Sequence, residues 1–197
     1  MDAHTLEPSR AKRLKAATRE THDRLDRSIM DAASFADLEG YARFVTMQYR
    51  FHRDIDALYG APALQALLPG LAERRRLSLI AADLADLGVA LPTEDPSRAF
   101  PPNAEPDMPT ALGWLYVAEG SNMGAALLRK EAAKLGLSDE RGARHLAPAD
   151  EGPAAHWRTF TAALDAIKLS PEEEARTAAG ANTAFARVQA LANVSFG

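Results

Sequence analysis

Apolar residues recur at intervals of three and four along most of the chain, and no strand-like alternation persists. One stripe predicts a first helix over residues 9–30 and comprises Leu14, Thr18, His22, Leu25 and Ile29. A second stripe predicts a helix from about residue 37 and comprises Tyr41, Val45, Gln48, His52, Ile55 and Tyr59. The pattern therefore predicts amphipathic helices that bury their apolar faces against one another.

Helix-boundary residues divide the rest of the chain. A third stripe stops at Gly88, and glycine is common just after a helix ends. Ser170 followed by Pro171 predicts the start of a last helix, because serine caps helices and proline fits the first turn. Residues 92–109 contain six of the twelve prolines and are expected to form a loop. We expect one all-α domain over residues 1–197, a bundle of about seven or eight helices with residues 1–8 flexible.

Composition narrows the chemistry. Alanine accounts for 41 of the 197 residues, which favours helix, and cysteine is absent. Without cysteine the chain can have no disulfide, thiolate metal site or cysteine nucleophile. The formal net charge is −4 with no basic stripe, so no nucleic-acid partner is expected. Neither a signal peptide nor a membrane anchor is recognised, and a cytoplasmic location is expected.

One predicted helix is unusual for its glycines. Residues 110–135 have helical apolar spacing but contain Gly113, Gly120 and Gly124. Each interior glycine costs a helix about 1 kcal/mol relative to alanine, which is abundant elsewhere in this chain. Two interpretations stay open. The glycines let two helix backbones approach closely, or they let a flat, bulky ligand lie against a helix that bends over it.

Among the five histidines, His22 lies on the apolar face of the first predicted helix, and Asp26 follows one turn later. A carboxylate at this spacing can hold one imidazole nitrogen and leave the other for a metal. A core histidine is the alternative, and the equal spacing of His52 and Asp56 shows that the pair is not specific. A planar macrocycle between an axial histidine and the glycine-bearing helix would use both features. Of the other histidines, His4 is expected in a frayed terminus, and His145 and His156 lie near predicted loops with no periodic reason for burial.

Four segments resemble bacterial biliverdin-forming heme oxygenases, and the resemblance extends over roughly residues 10–196. They are residues 21–26 (THDRLD), 113–126 (GWLYVAEGSNMGAA), 142–148 (GARHLAP) and 156–158 (HWR). The resemblance implies an all-α, heme oxygenase-like fold in which heme is both cofactor and substrate. Oxygen and electrons would open the ring to biliverdin, carbon monoxide and ferrous iron.

The resemblance also implies roles for particular residues. His22 would be the neutral axial ligand of the heme iron and Asp26 its carboxylate partner, while Gly120 and Gly124 would cover the distal face. Ser121 stands where animal and plant members carry an aspartate, which implies that protons arrive through ordered water. The groups that would hold this water are Gln48, His52, Arg76, Asn122 and Trp157. A tyrosine expected at the far end of this network is replaced by Val188.

Two further positions concern the orientation of the ring. Lys15 and Tyr116 match residues that contact the heme propionates in members that cut the α-meso carbon, so the α isomer of biliverdin is expected. Most of these side chains have plainer interpretations. Lys15 and Arg76 would then be solvated surface charges. Tyr116 and Trp157 would be core aromatics whose polar atoms are hydrogen-bonded. Gln48 and His52 would satisfy polar groups inside the bundle.

Two other functions are weighed against this one. The first is a non-catalytic protein of the same fold that binds or traffics heme. The second is a thiaminase-like hydrolase, which relies on a cysteine that this chain lacks. Electrons are expected from a separate reductase or ferredoxin-type donor, because no flavin or nicotinamide fingerprint is present. We expect a monomer that serves either iron acquisition or phytochrome chromophore supply.

Overall fold

The computed structural model describes residues 8–31, 35–93 and 98–197, except for the side chains of residues 30 and 31. Within these ranges the chain forms eight α-helices, two short 3-10 turns and no β-strand. The helices are α1 (Arg10–Asp31), α2 (Leu38–Gly60), α3 (Pro62–Leu67), α4 (Leu77–Asp86), α5 (Met108–Ser121), α6 (Ala125–Lys134), α7 (Pro153–Ala166) and α8 (Pro171–Phe196). The 3-10 turns are Ala72–Arg74 and Arg144–Leu146. The all-α prediction is confirmed, and the single-domain organisation stays a prediction.

Local sequence explains where several helices begin and end. The Asp37 side chain accepts a hydrogen bond from the Gly40 amide at 2.7 Å and so caps α2. Ser170 and Glu173 form a reciprocal capping box at the start of α8. Gly88 follows α4 with a φ of 69°, a left-handed conformation that glycine adopts without steric cost. The predicted stop at Gly88 and start at Ser170 are therefore confirmed.

The proline-rich segment is non-helical wherever it is described before Met108, where α5 begins. Residues 94–97 of this segment, and residues 1–7 of the terminus expected to be flexible, lie outside the described ranges. Nowhere in the described ranges is a helix long and apolar enough to cross a membrane.

The core forms around α8, which packs against α1, α2 and α5. Where α5 crosses α8 the two backbones touch through glycines. A Cβ added at Gly113 would lie 2.1 Å from the Thr177 carbonyl oxygen, and one added at Gly180 would lie 2.5 Å from that of Thr110. The close-packing interpretation is therefore correct for Gly113.

The predicted continuous helix over residues 110–135 is wrong. The helix ends at Ser121, a turn covers residues 122–124, and α6 begins at Ala125. Backbone amides here bond to the carbonyl three residues back, as from Met123 to Gly120 at 3.1 Å and from Gly124 to Ser121 at 3.1 Å. Glycine, serine and asparagine stabilise a helix poorly, so this run can tighten into a 3-10-like turn.

Candidate active site

His22 is on α1, where its imidazole is half-exposed rather than part of the core. Its side chain is 54% exposed, and Nδ1 lies 3.3 Å from Oδ2 of Asp26 and 3.8 Å from Oδ1 of Asp23. The ring meets Phe185 of α8 edge-on, with centroids 5.7 Å apart. A core histidine is therefore the wrong interpretation. With Nδ1 facing a carboxylate, Nε2 is the nitrogen left for a ligand.

His52 has the same spacing to an aspartate but a different environment. It is 5% exposed, and its expected partner Asp56 pairs with Arg75 instead. Burial, together with the positive charge of Arg76 and the nearby His145, lowers the pKa of His52 to about 3. The imidazole is therefore neutral near pH 7, and it can donate one hydrogen bond and accept another.

The turn after α5 leaves backbone and small side chains at the surface. A Cβ added at Gly120 would meet only the Trp157 ring, at 3.5 Å, and one at Gly124 only the Ser121 carbonyl oxygen, at 3.7 Å. Both are ordinary van der Waals distances, so neither glycine is required by a close approach of another helix backbone. Met123 and Leu127 are 45% and 56% exposed beside them. Exposed backbone next to exposed apolar side chains favours the ligand interpretation for this part of the segment.

The predicted polar groups are only partly brought together. Arg76 is half-buried and donates a hydrogen bond to the backbone carbonyl of His145, and burial lowers its pKa. Ser121 Oγ donates to the Ala118 carbonyl at 2.6 Å. No hydrogen bond joins the side chains of Gln48 or Asn122 to another described residue, and both residues are partly exposed. Val188 is buried.

The two predicted propionate contacts differ in setting. Tyr116 is buried against Trp157, with ring centroids 5.6 Å apart, and burial raises the pKa of its hydroxyl. Trp157 in turn stacks on Phe160 at 5.8 Å. Lys15 is exposed on α1 and forms no ion pair with another described residue. Its ammonium group is thus available to an anionic ligand.

Sequence reasoning missed a buried pair between Asp83 of α4 and His145 of the second 3-10 turn. His145 is 5% exposed, so the expectation that nothing buries it is wrong. Its Nδ1 lies 2.7 Å from Oδ2 of Asp83, which also accepts the His145 amide at 3.0 Å. These bonds outweigh burial and lower the pKa of Asp83. The signal was present in the sequence, because Asp83 lies on the same helical face as Ile80 and Leu84.

A second buried network was also missed. Glu119, which is 2% exposed, accepts hydrogen bonds from the Tyr59 hydroxyl at 3.0 Å and from Arg74 at 2.9 Å. The signal was a single acidic residue in an otherwise apolar run, since residues 111–118 are all buried. Buried carboxylates need such partners.

The residues present fit a heme held through one axial nitrogen. His22 offers an imidazole nitrogen oriented by a carboxylate, and Gly120 and Gly124 offer backbone without side chains next to the exposed apolar side chains of Met123 and Leu127. α8 connects the two regions, since it packs against α5 and carries Phe185, which touches His22. No group of three or more His, Asp or Glu suited to a metal ion occurs in the part of the chain that the structure describes.

Comparisons with known proteins give the family. A family model described as "Heme oxygenase" matches residues 9–193. The chain belongs to the heme oxygenase family. Heme oxygenase PigA of Pseudomonas aeruginosa is 44% identical over 192 residues, which cover 98% of this chain and 96% of the relative. A heme oxygenase of Xanthomonas campestris is 28% identical over 150 residues, covering 76% of this chain and 87% of the relative.

A solved structure agrees with this assignment. The heme oxygenase of Neisseria meningitidis, determined with NO and with CO bound, has a TM-score of 0.88 and 41% identity. The match covers 96% of this chain and 92% of the other. The chain is thus a member of a family of heme-degrading oxidoreductases with the expected fold. A heme oxygenase from Leptospira interrogans shares the fold at 19% identity, with a TM-score of 0.74.

Proposed function

We propose that this chain is an active heme oxygenase that opens the heme ring to α-biliverdin, carbon monoxide and ferrous iron. The observation that carries the proposal is the half-exposed His22, whose Nδ1 faces Asp26 and leaves Nε2 for iron. Bound heme supplies the redox-active iron and the porphyrin that is cleaved. The neutral imidazole of His22 would donate less electron density to the iron than a thiolate does, which would leave the ring edge rather than an added substrate as the group that is oxidised.

Asp26 fixes the tautomer of the His22 imidazole. Its carboxylate accepts the Nδ1 proton, selects the tautomer with a free Nε2 and makes that nitrogen a better donor. Both side chains are more than half exposed, so in the absence of a ligand water also competes for them. We therefore expect Asp26 to tune the affinity of His22 rather than to create it.

On the proposed distal face of the heme, the end of α5 at Gly120 and Ser121 and the turn residue Gly124 offer backbone and a hydroxyl in place of a carboxylate. Protons would then arrive through ordered water molecules. We propose that the side chains of Gln48, His52, Arg76 and Asn122, together with Trp157, hold this water. The low pKa of His52 supports this role, because a neutral imidazole passes a hydrogen bond from one water molecule to another.

The α isomer rests on the placement of the propionates. The ammonium group of Lys15, which pairs with no carboxylate of the described residues, is available for a propionate, and the buried Tyr116 holds its hydroxyl protonated as a donor. Chromatography of the biliverdin product tests this assignment. Mainly β or δ isomer would contradict it.

Turnover distinguishes the enzyme from a heme carrier. The purified chain is mixed with heme, oxygen and either ascorbate or a reductase system, and the Soret band is followed. We expect the band to disappear as the biliverdin spectrum rises. A band that is unchanged under conditions where free heme is degraded would favour the non-catalytic heme-binding protein.

The physiological setting is also proposed. Electrons come from a separate reductase or ferredoxin-type donor, since no nicotinamide or flavin fingerprint occurs in the sequence. We further propose that the chain acts as a monomer in the cytoplasm. Iron acquisition and chromophore supply both remain compatible with this chemistry.

A further inference from the structure

One buried carboxylate joins three separate segments just before the turn at the end of α5. Glu119 Oε1 accepts from the Tyr59 hydroxyl of α2, and Oε2 accepts from Arg74 in the first 3-10 turn. The Arg74 guanidinium also donates to the His156 backbone carbonyl of α7 at 2.9 Å and lies over the Phe160 ring at 5.6 Å. Both charged side chains are at most 5% exposed.

His156 closes the network from the surface side. Its Nε2 lies 3.9 Å from Oε2 of Glu119, and its Nδ1 lies 2.7 Å from Oε1 of Glu151. The imidazole therefore lies between a buried carboxylate and an exposed one. The hydrogen bond from His156 and the nearby positive charge of Arg74 lower the pKa of Glu151.

The neighbours along the chain are residues of the candidate site. Glu119 directly precedes Gly120, and His156 directly precedes Trp157. A Cβ at Gly120 would lie 3.5 Å from the Trp157 ring, so these two residues face each other. The helix ends at Ser121, two residues after Glu119, which makes Glu119 the last fully buried side chain of α5 before the turn.

Stability alone is a weak reason for such a pair. Burying two charges costs free energy that their attraction barely offsets, and apolar residues of similar size often stabilise a fold better. An ion pair does supply fixed directions, because a guanidinium and a carboxylate bond in defined geometry.

We propose that the network of Tyr59, Arg74, Glu119 and His156 is a positioning device that sets Gly120 and Trp157 relative to each other. It thereby fixes the surface that the turn presents to heme. The effect on turnover rests on the proposed function, but the effect on the turn does not. None of the four residues is placed in contact with heme, so all four are positioning residues.

The test uses Glu119→Gln, which keeps the shape of the side chain and removes its charge. Amide hydrogen exchange in residues 120–125 of the heme-free protein is expected to become at least about 10-fold faster. With heme, kcat is expected to fall about 10-fold while KM stays within about twofold, because misplacement affects the reaction more than binding. The biliverdin isomer distribution should broaden as well.

Two further variants separate positioning from stability. Glu174→Gln weakens the ion pairs with Arg10 and Arg13 between α1 and α8, and should lower Tm without changing exchange in residues 120–125. The double variant Arg74→Met with Glu119→Leu replaces the buried charges with apolar groups, so it is expected to fold well. It should still show the fast exchange and the broadened products.

Either of two results would overturn the proposal. One is wild-type exchange in Glu119→Gln together with a loss of Tm like that of Glu174→Gln. The other is a double variant that matches the wild type in both exchange and isomer distribution. If the wild type itself does not cleave heme, the proposed function fails, while the exchange measurement still tests the network.

Discussion

The helix α5 and the turn that follows it carry the same residue type in opposite surroundings. Gly113 touches the backbone of α8, and no side chain could be added there. Gly120 and Gly124 border a turn with open space, where a methyl group would meet ordinary contacts. One glycine lets two helices meet, and the other two leave room for a ligand. The same residue type at helical spacing in the sequence therefore stands in a closed helix crossing at one position and beside open space at the other two.

The two histidine–aspartate pairs make the same point. His22 and Asp26 face each other at the surface, whereas His52 is buried and its expected partner binds Arg75. The first pair can orient a metal ligand, and the second cannot. What separates them is which helix face is covered by the rest of the bundle.

The largest expected effect is at the helix crossing. Gly113→Ala would place Cβ 2.1 Å from the Thr177 carbonyl oxygen, and both atoms belong to or adjoin rigid helical backbone. We expect the free energy of unfolding to fall by about 3 kcal/mol or more, measured by urea denaturation. If the free energy of unfolding falls no more than for an ordinary surface substitution, the contact between α5 and α8 can shift to accept the methyl group, and the prediction is wrong.

The next effect concerns the exposed histidine. His22→Ala should lower heme affinity by about 100-fold, or about 2.7 kcal/mol, because the iron loses its protein ligand. Stability of the heme-free protein should change by less than about 0.5 kcal/mol, since the side chain is exposed. Heme titration and thermal melting measure the two quantities. Asp26→Asn, as the graded control, should cost about 10-fold in affinity.

The buried His52 should instead make the free energy of unfolding depend on pH. The pKa of His52 is about 3 in the folded protein and about 6.5 in an unfolded chain. At a pH between these two values, the imidazole is protonated in the unfolded chain but not in the folded protein. Stability should therefore fall as the pH falls, by about 2 kcal/mol between pH 6.5 and 5. His52→Gln should remove that part of the dependence. An unchanged slope in pH-dependent denaturation would contradict the burial of a neutral imidazole.

The smallest effect on the fold is expected at the turn. Gly124→Ala should change the free energy of unfolding by less than about 1 kcal/mol, since nothing clashes and alanine is only moderately worse than glycine at the N-cap position before α6. Heme affinity or turnover should nevertheless fall, because a methyl group is added to the surface that we propose covers the ring. Ala133→Gly on the exposed face of α6 is the control for a loss of α6 stability that adds no methyl group near the turn. A Gly124→Ala variant with wild-type turnover would show that the turn does not approach heme.

The helix positions, the family and the absence of thiol chemistry could be predicted from the sequence, because each depends on local pattern or on composition. Helix positions follow from apolar spacing and capping, both local properties, so the stop at Gly88 and the start at Ser170 were predictable. The motif around His22 and the run from Gly113 to Gly124 were sufficient to indicate the family. Composition alone excluded every thiol-based chemistry.

Other features depended on the tertiary structure. Only the packing of α8 shows that Gly113 is covered and that His22 is not, since both lie on apolar stripes. The break after Ser121 escaped prediction because helical spacing continues on both sides of the turn. The carboxylates of Glu119 and Asp83 find their partners on other segments, at sequence separations of 45 or more residues. Local patterns determined which elements form, and long-range contacts decided which faces are sealed and which remain open for chemistry.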